Sequence, residues 1–126
     1  MTRKYKFETA EQVLATFSLN ERSLATQVFN YACELPDTSY YISDGIMFKR
    51  ATRKYKFLSI STKGNRVLFH VPITIRDAIC KKYQDEMKIY IPTDLRDKNQ
   101  IDIEIKDIDS IEKIKGLINL AYKERE

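Results

Sequence analysis

The strictest pattern in the chain lies near its end, where Ile101, Ile103 and Ile105 alternate with Asp102, Glu104 and Lys106. A period of two predicts a strand with one face buried and the other in water. Earlier segments follow the helical period instead. Ala10, Val13, Leu14 and Phe17 recur at i, i+3, i+4 and i+7, and Thr9 with Gln12 reads as a capping box. A second helix is expected from Asn20, with Leu24, Val28, Tyr31, Ala32 and Leu35 as its stripe, Phe29 widening it and Pro36 stopping it. The two form an αα-hairpin that turns near Leu19-Asn20.

From residue 39 the period changes to that of strands. Tyr40–Ile42 and Ile46–Phe48 flank the turn dipeptide Asp44-Gly45, and Tyr55–Ser61 and Val67–Val71 flank Lys63-Gly64-Asn65. Thr74 opens a short helix with Ile75, Ala78, Ile79 and Tyr83. Met87–Ile91 reads as a strand ended by Pro92, and residues 93–100 as a polar loop. Asp109 and Glu112 predict a capping box for a final helix striped by Ile111, Ile114, Leu117, Ile118 and Ala121. Gly116 within that helix points to close packing against a neighbour, since Gly costs about 1 kcal/mol there relative to Ala. The fold class expected is α+β: an antiparallel β-sheet with helices packed on one face, an N-terminal αα-hairpin and a C-terminal helix. Residues 1–126 are read as a single domain, made of a basic arm (1–8), the helical hairpin (9–36) and a sheet-plus-helix unit (39–126).

Composition narrows the class. Of 126 residues, 43% are hydrophobic and 32% charged, with three Gly and three Pro, which excludes collagen-like and Pro-rich disordered chains. No apolar run is long enough to span a membrane, and none follows the basic start to make a secretory signal. A cytoplasmic protein is expected, with Cys33 and Cys80 as free core thiols. Two Cys and the single His70 lack zinc-site spacing, and three glycines make no phosphate loop, so no metal and no cofactor is expected.

Several segments resemble a small prokaryotic domain family of unknown function, whose members are labelled predicted transport proteins and occur alone or beside restriction-type nucleases. The resemblance rests on Ile46-Met47-Phe48-Lys49-Arg50, Lys56-Phe57-Leu58-Ser59-Ile60, Lys63–Phe69, Ile101–Ile105 and Leu117–Lys123, and covers about Tyr40 to Lys123. A weaker similarity extends to YjbR-like double-wing domains, which implies a helix-flanked antiparallel sheet and a DNA-binding role. The family's Gly-His-Trp-Gly-like loop is replaced here by Thr93–Gln100, so no role for that loop carries over.

Charge adds the candidate chemistry. The net charge is only +4, but Lys49, Arg50, Arg53, Lys54 and Lys56 fall within eight residues that hold no acid. Tyr55 and Phe57 are interleaved with the last of them, and Lys63 and Arg66 in the following hairpin extend the set. Lys and Arg on a sheet surface can neutralise phosphates, and an exposed Tyr can stack on a base. Nucleic acid, DNA or RNA, is therefore the expected partner of a non-catalytic accessory domain. The plainer alternative is a solvated sheet face. The hexapeptide Thr-Arg-Lys-Tyr-Lys-Phe occurs twice, at 2–7 and 52–57, and both copies can line one basic, aromatic surface.

From Asp94 to Asp109 six acids face three bases, so the chain is polarised, which also suits a protein-interaction or inhibitor module of a phage or mobile element docking on an acidic surface. A third reading takes Asp94, Glu104 and Lys106 as a PD-(D/E)xK-like nuclease set, in which two carboxylates would hold Mg²⁺ and the Lys would polarise water. It requires Glu104 and Lys106 to share one strand face. No catalytic residue is assigned.

Overall fold

The computed structural model describes residues 7–87 and 99–124. Five strands pair in chain order, each antiparallel to the next: β1 (Thr38–Ile42), β2 (Gly45–Arg50), β3 (Lys56–Ser61), β4 (Arg66–His70) and β5 (Gln100–Glu104). The register explains the core. Tyr40, Phe48, Leu58, Phe69 and Ile101 stand in one cross-strand row, and Ile42, Ile46, Ile60, Val67 and Ile103 in the next. From β2 to β5 every member of both rows is fully buried. One face of the sheet is thus apolar from β2 to β5 and must be covered.

Helices cover it. In α1 (Ala10–Leu14) the Thr9 hydroxyl accepts from the Gln12 N–H at 3.2 Å, while the Gln12 side chain accepts from the Thr9 N–H at 3.2 Å, which is the predicted capping box. The second helix, α2 (Leu19–Cys33), starts one residue earlier than the pattern suggests, because Ser18 caps it by accepting from the Glu21 N–H. Its Phe29 packs edge-on to Tyr40 at 5.1 Å and against Phe48 at 5.8 Å. From α4 (Lys115–Glu124), Tyr122 sets its ring edge-on to Phe57 at 5.5 Å. A Cβ on Gly116 of α4 would lie 2.7 Å from the Tyr83 hydroxyl oxygen, so the glycine lets α3 (Ile73–Met87) approach, as expected. The buried apolar residues form one cluster. The α+β class, the N-terminal helix pair and the C-terminal helix are as predicted.

Several boundaries differ. The helix predicted from Thr74 begins at Ile73 and runs through Met87, so Met87 is helical where a strand was expected to open. The rest of that strand, 88–91, and positions 93–98 of the polar loop lie outside the described residues. Gln100, placed in that loop, is the first residue of β5. The alternation at 101–106 outlasts its strand: β5 ends at Glu104, and Ile105–Asp107 form a 3-10 turn with Ile105 buried. The final helix does not start at Asp109. Ser110 takes the cap of a 3-10 turn over Ile111–Lys113, and Asp109 instead accepts from Lys113 at 3.0 Å. Cys80 is buried, but Cys33 is exposed and is not a core thiol, because it sits one position round α2 from the buried Ala32. Of the basic arm, 1–6 lie outside the described residues. Phe7 is buried, as is Phe57, so both copies of the hexapeptide end on a core phenylalanine.

Candidate functional site

The candidate site grows from an irregularity in the sheet. Phe48 pairs with Leu58, but the next residue, Lys49, pairs with Lys56, leaving Phe57 as an extra residue in β3. This is a β-bulge, which re-aims side chains. It resets the alternation of β3: Phe57 and Leu58 both enter the core, and Lys56 joins Lys49 on the face away from the helices. The four residues before it, 52–55, are exposed and connect β2 to β3 around Ala51.

The eight residues expected in the basic surface fall into four places. Lys49 and Lys56 stand side by side on the outer sheet face, both half-buried. Arg53, Lys54 and Tyr55 occupy the exposed connection next to them. Lys54 and Tyr55 precede the strand, so they do not alternate along it, and the Lys54 ammonium lies 5.6 Å from the Tyr55 ring centre. Among the described residues, no ion pair to an acid forms at Lys49, Arg53 or Lys54.

Arg50 differs. Two positions beyond the buried Phe48, its guanidinium lies 4.0 Å from the centre of the Tyr122 ring and donates to the Tyr122 carbonyl at 3.3 Å. That carbonyl belongs to the last turn of α4, where a cation also meets the negative end of the helix. Arg50 therefore ties β2 to α4.

Lys63 and Arg66 lie at the opposite end of β3, about 17 Å from Lys56 at the usual strand rise. Lys63 is 3.8 Å from the Asp44 carboxylate. Arg66 donates to the Asp102 carboxylate at 2.9 Å and to the Lys63 carbonyl at 2.9 Å. Asp102 is only 3% exposed, although the alternation predicts water on that side of β5. Arg66 and the Gln100 amide, which donates to it at 2.9 Å, replace its hydration. A buried carboxylate without such partners would be costly.

The residues of the nuclease reading are not brought onto one strand face. Glu104 ends β5 and Lys106 lies in the 3-10 turn, their charged atoms 4.0 Å apart. Asp94 lies outside the described residues. Among the described residues no group of three His, Cys, Asp or Glu could hold a metal ion, and no helix is long and apolar enough to cross a membrane.

One aromatic residue of the outer face escapes a reading based on basic runs. Tyr40 packs into the helical layer, so its neighbour Tyr41 must project to the other side. Tyr41 pairs across the strands with Met47, two residues before Lys49, and is 46% exposed. Parity along Tyr40-Tyr41 was the available signal, once one ring is assigned to the core.

Comparison of the chain with models of known families, with curated proteins and with solved structures finds no match.

Proposed function

We propose that the chain binds nucleic acid without catalysing a reaction, through Lys49 and Lys56 on the outer face of the sheet and Arg53, Lys54 and Tyr55 in the adjoining connection. One observation carries this reading: the bulge sets Lys49 directly opposite Lys56, beside a connection with two more cations. Neighbouring strands lie about 4.8 Å apart, so one phosphate can be reached by both ammonium groups. Tyr55, 61% exposed, offers a ring to a base at the same end. Arg50 supports the site from behind through α4, whereas Lys63 and Arg66 serve the far end of the sheet.

Fluorescence anisotropy with labelled oligonucleotides across a range of salt concentrations tests this. Each phosphate contact adds about −0.7 (single strand) or −0.9 (duplex) to the slope of log affinity against log salt. Reversing two charges together, Arg53→Glu with Lys54→Glu, should weaken binding across sequences and flatten the slope by about 1.4 on single strands. Folding should be nearly unaffected, since both side chains are exposed. If the wild-type chain binds neither strand nor duplex at low ionic strength, the reading is wrong, and the same cations become a docking face for an acidic protein or plain solvated surface.

A further inference from the structure

We infer that the ligand of this face is single-stranded, and that Tyr41 is a base-stacking residue of the site. The inference rests on the nucleic-acid reading above and adds to it a residue and a ligand form. Its basis is the position of Tyr41. It stands on the outer face of β1, diagonal to Lys49 and opposite Met47. Diagonal neighbours on a sheet face lie about 7–8 Å apart, within reach of a long side chain or a ring. Lys56 is the next residue across from Lys49. The order over the face is therefore a ring, two ammonium groups, and then the connection with Arg53, Lys54 and Tyr55.

That order suits a strand whose bases are free. Phosphates along its backbone would meet Lys49 and Lys56, while one base stacks on Tyr41 and another on Tyr55. A duplex hides its base faces in its own stack, so neither ring could be used. Tyr41 is 46% and Tyr55 61% exposed. The other exposed tyrosine among the described residues, Tyr40, is engaged with Phe29 and Phe48 on the helical side and is not part of the site.

The chain contains no tryptophan, so a single Trp placed at one position is an unambiguous reporter. Three variants of the full chain are compared: Tyr41→Trp, Tyr55→Trp, and Leu19→Trp as a control in the helical layer, where Leu19 is 79% exposed. An oligothymidylate should quench the emission of the first two and leave the third unchanged, and a duplex of equal length should quench none. In anisotropy, Tyr41→Ala should weaken oligothymidylate binding about 5- to 150-fold and leave the salt slope unaltered, because base stacking is worth about 1–3 kcal/mol. Tyr41→Phe should retain affinity, which separates the loss of the ring from any loss of fold. If the strand binds with a steep salt slope, yet Tyr41→Trp is not quenched and Tyr41→Ala binds as wild type, the role of Tyr41 is overturned and the basic site stands. Equal quenching by the duplex overturns the single-strand assignment. Absence of binding to either probe removes the nucleic-acid reading itself.

Discussion

The two ends of β3 carry similar charge and spend it differently. At one end, Lys49 and Lys56 lie side by side, next to Arg53 and Lys54. At the other, Lys63 lies 3.8 Å from Asp44, and Arg66 binds Asp102 at 2.9 Å. Along the chain both ends look alike, as basic residues flanking strand segments. Across the sheet they do not. The partners of Arg66 and Lys63 come from β5 and from the β1–β2 turn, which are remote in sequence. Among the described residues no acid pairs with Lys49, Arg53 or Lys54. Under the proposed function the far end contributes stability, the near end contributes recognition, and substitutions should separate the two.

The largest effect should come from the apolar floor beneath the paired end. Ile103 is fully buried and faces Val67, the neighbour of Arg66. Replacing Ile103 with Ala should destabilise by about 2–5 kcal/mol, read as a lowered denaturant midpoint at unchanged slope. A midpoint close to wild type would mean that this end of the sheet is not part of the cooperative core. Next in size is Arg66→Met, which keeps the aliphatic stem and removes the charge beside a buried carboxylate. A loss of about 1–3 kcal/mol is expected, with oligonucleotide affinity per folded molecule unchanged. If affinity falls and stability does not, Arg66 belongs to the recognition face and the division between the ends fails.

Much of this was legible in the sequence, because most elements obey local rules. The Thr9–Gln12 box, the stripe of α2, the turn at Lys63-Gly64-Asn65 and the alternation of Ile101 with Ile103 depend on spacing alone. Gly116 was legible as a close approach, although not that Tyr83 is the neighbour. What could not be read depends on pairings distant in the chain. The bulge at Phe57 exists only relative to β2. The expected strand included Tyr55, which precedes β3. Asp102 reads as a solvent residue until Arg66, 36 positions away, is placed beside it. Asp109 and Ser110 are both good cap residues by type, and in the fold Ser110 caps while Asp109 pairs with Lys113. Of the eight candidate site residues, Arg53, Lys54 and Tyr55 are exposed, whereas Arg50 packs against Tyr122. That Arg50 anchors to α4 and that Lys63 and Arg66 meet acids appears only in three dimensions.

The smallest effect is the most informative about where the recognition face stops. Lys63 is 74% exposed and its pair with Asp44 is loose at 3.8 Å, so Lys63→Ala should change stability by no more than about 1 kcal/mol, the range of surface ion pairs. The strand rise puts Lys63 too far from Lys56 for one phosphate to touch both. The salt slope of binding should therefore match wild type, in contrast to the flattening expected from the Arg53→Glu, Lys54→Glu double variant. Because both measurements use the same oligonucleotide and the same salt series, the comparison is internal. A slope flattened by about 0.7 in Lys63→Ala would mean one further phosphate contact. The ligand would then run the length of β3, and the two ends would be parts of one surface.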